Sequence, residues 1–402
     1  MELLDFDELN RGTASVVDAV VLRYRVTGVA ARARIPPLLT NLHPLIRWVE
    51  CTSPDDTPTF VYETTCEKTF KACHNRATVL NRLHNSQILE NKANLAVLQT
   101  AMDIDMLKTY LAQGRDEVRD WCDWKFGKST VDGELDWWVL KASQGNGGRD
   151  IWIVSKENFE RILIDIPPHD HFVIQKCIAY PQLWQGRKFH FRCYTLLFGN
   201  ISAYVYSQAF ILTASEPFDH GNCEEILKHI TNLAVNKHFS HHPGQIPVDL
   251  ETSYPLEFLK IKDIWRSLIK TAAPFMRHQK SQFHFEFFGI DILADESHNC
   301  WLLECNRLPG LASSFNNLEA ENRFYDTMIT SLLILVLKYS LPGFTTDVFK
   351  NLEYPGWVLV FEDKSFVPNA EPPLHLNLLN WAAFCKKHSS SINAKHVINP
   401  SL

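Results

Sequence analysis

The sequence predicts a folded protein of the α+β class, in which segments with strand periodicity are mixed with segments of helical periodicity over 402 residues. Hydrophobic residues make up 46% of the chain, which is enough for two or three domains with a large core. The clearest single element is a predicted hairpin, in which strands over residues 285–293 and 300–305 flank a polar turn over 294–299. The other candidate functional elements precede this hairpin in the chain.

Three oxygen-bearing side chains stand among apolar neighbours on the predicted hairpin: Asp291 on the first strand, and Glu304 and Asn306 at the end of the second. Antiparallel pairing can place positions 291 and 304 opposite each other, and residues two apart on a strand share a face. A buried carboxylate is costly unless it is paired or binds a metal, so the convergence of two predicts a divalent-cation site, with Mg²⁺ as the expected ion. For either carboxylate alone, the alternative is an edge-strand position for Asp291 and an ion pair with Arg307 or another base for Glu304.

Composition and charge argue against several classes of protein. The formal net charge of −6 is not typical of a general nucleic-acid-binding protein. The ten cysteines have no C-x-x-C spacing, which predicts reduced thiols in a cytosolic protein; Cys66, Cys73 and His74 resemble a zinc site, but buried free thiols are the favoured interpretation. The start of the chain lacks a signal-peptide pattern, and the apolar run 328–336 is too short to span a bilayer, so no membrane role is predicted.

The first part of the chain, residues 1–65, predicts a small α/β domain with strand-like runs at 16–26 and 59–63 and a break at Pro36 and Pro37. Between residues 10 and 49 there is one acid, Asp18, and six arginines: Arg11, Arg23, Arg25, Arg32, Arg34 and Arg47. This basic segment is either a solvated face or a surface that meets an acidic partner.

Helical periodicity is clearest in three places. Residues 86–102 predict an amphipathic helix with Ser86 as its cap, residues 106–121 predict a second helix, and residues 320–339 predict a helix with an apolar face that closes the core. The last stretch, 341–402, contains one predicted strand at 357–361 and ends in a polar segment.

A glycine-rich loop over residues 142–149 lies between predicted strands 137–140 and 150–154. Gly145, Gly147 and Gly148 have no side chains, so their backbone N–H groups can approach an anion, and Lys141 supplies a cation at the root of the loop. The pattern therefore predicts a flap over a phosphate. It is not a Walker loop, because no Gly-Lys-Ser/Thr follows, and an ordinary glycine-rich turn is the alternative.

Two further predicted strands carry polar residues at regular spacing. Residues 172–178 form an apolar strand interrupted by Gln175 and Lys176, and in residues 186–197 the basic residues Lys188, His190 and Arg192 alternate with apolar ones. Alternation with a period of two places one side of the strand in the core and the other in a polar cleft. Aligned cations of this kind suit a triphosphate; an ordinary amphipathic strand is the alternative.

A strand is predicted at 204–212, and the segment 226–236 follows after a turn-rich loop. Thr231, Asn232 and Asn236 in this segment can hydrogen-bond a ligand or cap a helix, and capping is the favoured interpretation for Thr231 alone.

These elements occur in the order K-x-S-x-G-x-G-G, V-I-Q-K, G-R-K-F-x-F-R, H-I-T-N-x-x-x-N-K, G-I-D and L-L-E-C-N-x-x-P. In this order they resemble the tubulin tyrosine ligase family of ATP-grasp enzymes, and the resemblance covers residues 81–341. It implies an ATP-grasp fold in which two α+β lobes clamp ATP. The implied domains are an N-terminal substrate-binding domain (1–65), a central lobe (66–185), a C-terminal lobe with the metal site (186–345) and a C-terminal extension (346–402).

The resemblance also implies a role for individual residues. The residues that it places around ATP are Lys141, Ser143, Gly145, Gly147, Gln175, Lys176, Ile178, Lys188, Arg192, Thr231 and Asn232. Those that it assigns to Mg²⁺ are Asp291, Glu304 and Asn306, and the implied catalytic residues are Lys188, Arg192 and Glu304.

Three residues depart from the family pattern. Ala142 stands where the family usually has proline, His190 where an acidic residue is usual, and Leu212 where arginine is usual. The departures lie around the implied γ-phosphate and acceptor positions, whereas the implied nucleotide and metal ligands are all present.

The expected activity is that of an ADP-forming ligase, in which ATP phosphorylates a substrate carboxylate and the amine of a free amino acid displaces phosphate. The acceptor would be a protein or peptide carboxylate, with the C-terminal tail of tubulin as one candidate, in a cytosolic protein that can associate with the cytoskeleton. His190 is a candidate base for the incoming amine on chemistry alone. The alternative is a pseudo-ligase that binds a nucleotide or a partner without turnover.

Overall fold

The computed structural model describes residues 20–64, 76–127, 136–144, 150–168, 170–221, 223–236, 243–276, 279, 281–314, 318–341 and 352–364. The strands in these ranges are β1 (Val20–Val26), β2 (Ile46–Glu50), β3 (Phe60–Tyr62), β4 (Val79–Leu80), β5 (Thr109–Gln113), β6 (Trp138–Ala142), β7 (Ile151–Val154), β8 (His171–Lys176), β9 (Leu183–Trp184), β10 (Arg187–Phe198), β11 (Ser202–Thr213), β12 (Gln245–Asp249), β13 (Phe285–Ala294), β14 (Cys300–Arg307) and β15 (Trp357–Glu362). The helices are α1 (Val29–Asn41), α2 (Gln87–Glu90), α3 (Lys92–Thr100), α4 (Gly114–Phe126), α5 (Phe159–Asp165), α6 (Ile226–His229), α7 (Leu233–Asn236), α8 (Leu250–Ser253), α9 (Pro255–Met276) and α10 (Leu318–Ser340).

The strands form three sheets. The first is a four-stranded parallel sheet in the order β2–β1–β3–β4, and the second is a four-stranded antiparallel sheet in the order β5–β8–β6–β7. The third has seven strands, in the order β12–β11–β10–β13–β14, with β9 paired to β10 and β15 paired to β11. Helices and sheets are thus mixed, as the sequence predicts for the α+β class.

The seven-stranded sheet is covered on both faces. One face packs against α9, α2 and α3, and the other packs against α10 and the four-stranded parallel sheet. Strand β13 lies inside the sheet between β10 and β14 and is buried along its whole length. Asp291 on β13 is therefore not on an edge strand, and the edge-strand alternative considered for it is wrong.

The prediction of a break at Pro36 and Pro37 is wrong, because both prolines lie inside α1. Ala31, Ile35 and Leu39 recur every four residues on this helix and are buried against the parallel sheet. Burial of this apolar stripe outweighs the backbone hydrogen bonds that two prolines cannot donate. The strands predicted on either side of α1 are present as β1 and β3.

Two helix predictions also need correction. Residues 106–121 contain strand β5 and only then helix α4, and Gly114 at their junction has φ 80°, which a residue with a side chain rarely adopts. Residues 86–102 form α2 and α3 rather than one helix, because Asn91 is extended and its side chain accepts a hydrogen bond from the backbone of Asn94 to start α3. Ser86 is not a side-chain cap; its hydroxyl donates to the buried carboxylate of Glu286 over 2.6 Å.

The prediction for the second half of the chain was more accurate but incomplete. Helix α10 and strand β15 are present where the sequence indicates them, and β15 joins the seven-stranded sheet. Helix α9, which is 22 residues long and joins the core on one face of the seven-stranded sheet, was not predicted from the sequence. No helix of the described ranges is long and apolar enough to cross a membrane. The cysteines in these ranges are buried, whereas Cys66, Cys73 and His74 lie outside them.

Several arginines of the basic segment are paired within the chain. Arg23 pairs with Asp56 at 3.1 Å and Arg32 with Glu50 at 3.0 Å. Arg34 on α1 pairs with Asp326 on α10 and also donates to the backbone oxygen of Leu311 over 2.7 Å. These arginines thus contribute to the fold, which weakens the prediction that the segment is a surface for an acidic partner. Arg11 lies outside the described residues.

We expect Arg34→Ala to lower the free energy of unfolding by about 2–4 kcal/mol, because it leaves a carbonyl and a carboxylate without their charged donor. The side chain of Arg34 is only 13% exposed, and its remaining hydrogen bonds go to Ser313 and Asn322. Chemical denaturation measures the change. Arg32→Ala is the matched control, since Arg32 is exposed and a surface ion pair contributes about 0–1 kcal/mol. An equal loss in the two variants would show that Arg34 does not anchor α1.

Candidate active site

The predicted hairpin is formed by β13 and β14, and it places Asp291 directly opposite Glu304. Asp291 is buried and Glu304 is largely buried. Their neighbours on the two strands are mostly apolar. The third predicted oxygen ligand, Asn306, lies two residues beyond Glu304 on β14 and is opposite Gly289. The register expected from the sequence is therefore present.

Both carboxylates lie at a cleft between the second and third sheets. The cleft contains about 690 Å³ of empty space, part of it continuous with solvent. Its apolar lining residues are Leu107, Val139, Ile151, Cys177, Ile178, Ile230, Leu293 and Leu303. Its polar and charged lining residues are Lys141, Gln175, Lys176, Lys188, His190, His229, Thr231, Asn232, Asp291 and Glu304. A cleft with apolar walls and convergent polar groups is typical of a small-molecule site.

Asp291 is held by a bidentate ion pair with Arg192. Arg192 Nε donates to Asp291 Oδ1 over 2.5 Å, and the guanidinium donates to Oδ2 over 3.0 Å. Burial alone would raise the pKa of Asp291, but the Arg192 guanidinium outweighs this and the pKa of the carboxyl is lowered. Asp291 is thus an anion in the fold. Gly289 leaves room for the Arg192 side chain, because a Cβ at position 289 would lie 3.0 Å from Arg192 Cδ.

Glu304 has a different environment. Lys92, in the first turn of α3, places its Nζ 3.5 Å from Glu304 Oε1. Burial and the nearby charge of Asp291 raise the pKa of Glu304 despite this ammonium group. The two carboxylates therefore repel each other, and a cation placed between their charges would relieve the repulsion.

Lys141 and Gln175 are hydrogen-bonded to each other in the cleft. Lys141 Nζ donates to Gln175 Oε1 over 3.0 Å, and Gln175 Nε2 donates to Thr109 Oγ1 over 3.3 Å. Burial lowers the pKa of Lys141 to about 8, although Glu304 acts in the opposite direction. The pKa of Lys141 is thus close to neutral pH. An anion nearby would stabilise the charged form of its ammonium group.

Two other lysines of the cleft differ in their pairing. Lys176 Nζ lies 2.8 Å from Asp136 Oδ1 and 5.3 Å from the centre of the Trp138 ring. Lys188 is buried, and within the described ranges its ammonium group has no hydrogen-bond or ion-pair partner. Its ammonium group is therefore available to pair with an anion bound in the cleft.

His190 is fixed by one of its ring nitrogens. Its Nδ1 lies 2.6 Å from Thr231 Oγ1, a contact between strand β10 and the segment before α7 that the sequence does not indicate. The Nε2 atom is buried, has no hydrogen-bond partner in the described part of the chain and lies 3.6 Å from Asp291 Oδ1. Burial lowers the pKa of His190 to about 4, which makes the imidazole a weak base near neutral pH and disfavours it as the base for an incoming amine.

Two of the three residues that depart from the family pattern, His190 and Leu212, are neighbours. His190 on β10 is directly opposite Leu212 on β11, and opposite residues in an antiparallel pair share a face. Leu212 is buried in the core on the side of α10. The acid that is usual at position 190 and the arginine that is usual at position 212 are thus both replaced by residues without a charge at neutral pH. Because the two positions are opposite each other, replacing both avoids an unpaired charge at either one.

The structure brings most of the candidate residues to the one cleft, with three exceptions among those it describes. Arg192 lies behind Asp291, Asn306 lies beyond the lining residues, and Ser143 donates its hydroxyl to Asn91 over 3.3 Å. Gly145 and Gly147 lie outside the described residues. Within the described ranges, no three His, Cys, Asp or Glu side chains are grouped closely enough to hold a metal ion by themselves.

The sequence analysis missed Lys92 and Gly289. Lys92 lies in a polar-apolar pattern that predicts only a helix face, and nothing local indicates that its Nζ meets Glu304, 212 positions later. Gly289 belongs to the G-I-D motif already identified, and a glycine within an apolar strand is itself a signal of close approach.

The residues present fit an Mg²⁺ ion that shares its shell with phosphate. Mg²⁺ takes oxygen ligands and is commonly held by one or two carboxylates together with substrate phosphates and waters. Asp291 and Glu304 supply two carboxylates at directly paired positions, and the raised pKa of Glu304 reflects a repulsion that a cation would remove. Lys141 and Lys188 on the same cleft suit the phosphates.

The protein thus combines a mixed α+β fold with a cleft that carries both cations and paired carboxylates. This combination suits a ligand that contains phosphate. Comparison with known families makes this specific: residues 70–345 match the model of the tubulin-tyrosine ligase family. The match covers more than half of the chain, and the chain belongs to this family. The resemblance that the sequence motifs indicate is thereby confirmed.

Individual relatives are similar to parts of the chain. A probable beta-tubulin polyglutamylase of Tetrahymena thermophila is 30% identical over 208 residues, which are 44% of this chain and 17% of that protein. Tubulin glycylase 3E of the same organism is 29% identical over 232 residues, 52% of this chain and 16% of that protein. Tubulin polyglutamylase TTLL6 of Homo sapiens is 28% identical over 265 residues, 56% of this chain and 28% of that protein. The chain thus spans well under a third of the length of these relatives.

Proposed function

We propose that the protein is an ATP-dependent, ADP-forming ligase that joins an amino acid to a carboxylate of a protein or peptide. The observation that carries this proposal is the pair Asp291 and Glu304, directly opposite each other at a cleft that also holds Lys141 and Lys188. Carboxylates for a cation and lysines for phosphates are what the binding of Mg²⁺ and ATP requires.

The chemistry needs activation of the acceptor. A carboxylate is a poor electrophile at neutral pH, so transfer of the γ-phosphoryl group to it forms an acyl phosphate, and attack by the amine on the acyl carbon expels phosphate and forms the amide. Lys141 and Lys188 would neutralise the charge that develops on the phosphoryl oxygens, and Arg192 would hold Asp291 in place. Mg²⁺ held by Asp291, Glu304 and Asn306 would supply Lewis-acid stabilisation of the phosphates.

The nucleotide base would lie on the apolar side of the cleft. Gln175, Lys176 and Ile178 follow one another along β8 and just beyond its end, and all three line the cleft together with Leu107 and Val139. An amide, a backbone segment and aliphatic walls suit a flat heteroaromatic ring with hydrogen-bonding edges. Thr231 and Asn232 on the opposite wall would lie near the ribose or the acyl group.

The arrangement of the sheets supports the implied ATP-grasp organisation. The second and third sheets would be the two lobes on either side of ATP, and the parallel sheet with α1 would help to hold the polypeptide substrate. The names of the relatives suggest tubulin as the acceptor and glutamate or glycine as the added amino acid. Both assignments belong to this proposal, and tubulin would place the protein at the cytoskeleton in the cytosol.

Release of ADP from the purified chain tests the proposed function. The reaction would contain ATP, Mg²⁺, tubulin and one amino acid at a time, with mass spectrometry of the tubulin tails as a second measurement. We expect ADP release that depends on both the protein acceptor and one amino acid, together with a mass increase of the tail. Binding of ATP without any ADP release across a panel of peptide acceptors would overturn the ligase proposal.

A pseudo-ligase is the second candidate, and the positions His190 and Leu212 favour it. Both lie next to the implied γ-phosphate surroundings, and both lack the charge that is usual in the family. A pseudo-ligase would bind ATP with Mg²⁺ in a calorimetric titration, whereas the double variant His190→Asp, Leu212→Arg would be needed before ADP release is detected. Turnover by the unchanged chain excludes this candidate.

The pKa of Lys141 predicts how ATP affinity depends on pH. Burial lowers this pKa from 10.5 to about 8, so the ammonium group loses its charge as the pH rises through 8. ATP affinity should therefore be full at pH 7 and about tenfold weaker at pH 9, as measured by titration calorimetry. Lys141→Met is the control: it should bind ATP weakly at pH 7 and show no fall between pH 7 and 9. A fall of equal size in this variant would assign the pH dependence to another group.

A further inference from the structure

We propose that His190 supplies a nitrogen ligand, through Nε2, to the divalent cation that Asp291 helps to hold. The inference rests on the proposed function, because it concerns the same cation. It predicts that the site favours a transition-metal ion such as Co²⁺ over Mg²⁺ more strongly than a site with oxygen ligands only.

The first observation is that a buried nitrogen has been left without a partner. His190 is 2% exposed, lies in the interior of β10 and lines the cleft. Its Nε2 has no hydrogen-bond partner among the described residues. A buried polar atom without a partner is unfavourable unless something binds it, and His190 lines the cleft.

The second observation is how the ring is held. Thr231 Oγ1 lies 2.6 Å from Nδ1 and can accept a hydrogen bond from an Nδ1–H group. In that tautomer Nε2 carries no hydrogen, and its lone pair is available to a ligand. Histidines that bind metals are commonly oriented in this way, with the second ring nitrogen hydrogen-bonded to a neighbouring oxygen. Thr231 would therefore act as a positioning residue for His190.

The third observation is the distance to the carboxylate. Nε2 lies 3.6 Å from Asp291 Oδ1, which is too long for a hydrogen bond. Two ligands that are each about 2.1 Å from one ion lie between roughly 3 and 4.2 Å apart, so this pair of atoms can bind the same cation. Arg192 donates to Oδ1 as well, but a carboxylate oxygen has two lone pairs and can bind both.

The remaining ligands would come from elsewhere. Within the described residues no three acidic, histidine or cysteine side chains are grouped closely enough to hold an ion, so phosphate oxygens and water would complete the shell beside His190 and Asp291. Imidazole suits transition-metal ions, whereas Mg²⁺ prefers oxygen ligands. One nitrogen in place of an oxygen is therefore expected to change which cation the site selects, even if the number of ligands is the same.

Pulsed electron paramagnetic resonance on the full chain tests the proposal directly, with Mn²⁺ and the β,γ-methylene analogue of ATP as the probe. We expect a nitrogen coupling to Mn²⁺ that changes when histidine is labelled with ¹⁵N and that is absent in His190→Asn. His229→Gln is the matched control, because His229 lines the same cleft and should not affect the coupling. Bound Mn²⁺ without a histidine coupling would overturn the inference and leave the proposed function standing.

Cation selectivity is a second, independent measurement. The ratio of the Mg²⁺ to the Co²⁺ dissociation constant, with the same analogue present, should fall by at least about tenfold in His190→Asp. Comparing variants cancels the preference of the analogue itself. An unchanged ratio would contradict the inference. Failure of the unchanged chain to bind the analogue with any of the three cations would overturn the proposed function as well, so the two failures are distinguishable.

Discussion

Replacing Glu304 with Gln should lower turnover by roughly 1000-fold or more, because a divalent cation at the phosphates contributes several kcal/mol to the transition state. The fold should survive. Gln has nearly the same shape, and it removes the charge of a carboxyl group whose pKa is raised by burial and by the nearby charge of Asp291. We therefore expect Glu304→Gln to unfold at the same denaturant concentration as the unchanged chain, or at a slightly higher one. ADP release and chemical denaturation measure the two effects.

Glu296→Gln is the matched control for this variant. Glu296 lies in the exposed turn of the same hairpin and does not line the cleft, so its replacement should leave ADP release unchanged. If Glu304→Gln retains the original rate, the hairpin does not hold a cation that the reaction needs. If it loses activity and also loses several kcal/mol of stability, the role of Glu304 is to pair with Lys92 in the fold rather than to bind the cation.

Lys188→Met should weaken the binding of ATP by about 10- to 100-fold, the loss expected for a charge-assisted hydrogen bond of about 1.5–3 kcal/mol. Stability should not fall, because in the described part of the chain the ammonium group has no partner to lose. The nearby charge of Lys188 also lowers the pKa of Lys141, so the variant should shift the pH dependence of ATP binding to higher pH. Titration calorimetry over a pH series measures both results.

Lys176→Met is the contrasting variant. Lys176 pairs with Asp136, which also pairs with Lys125 over 2.5 Å, so this replacement should lower stability as well as affinity. If Lys188→Met binds ATP as tightly as the unchanged chain, Lys188 does not contact phosphate, and the assignment of the cleft to a triphosphate loses its most direct support.

Local patterns were sufficient to predict the parts of this protein that are regular. Alternation in residues 186–197 predicted strand β10 almost to its ends, and the polar turn at 294–299 predicted a hairpin whose register places Asp291 opposite Glu304. Both predictions are confirmed because side chains on a strand alternate between the two faces of the sheet. The pattern of burial can therefore be predicted from neighbouring residues. The break expected at Pro36 and Pro37 and the helix expected over residues 106–121 are both wrong, because burial of the α1 stripe and the pairing of β5 with β8 outweigh local preference.

The sequence by itself determined the family, the α+β class and the set of charged residues from which a nucleotide site can be built. Only the tertiary structure decided which of those charges compensate each other: Arg192 meets Asp291, Lys92 reaches Glu304 from another part of the chain, and Lys188 is left without a partner among the described residues. The physical reason is the separation along the chain over which each kind of interaction acts. Periodicity reports the environment of a residue within one or two turns of chain, whereas an ion pair depends on a distance of a few ångströms between atoms that can be any number of residues apart.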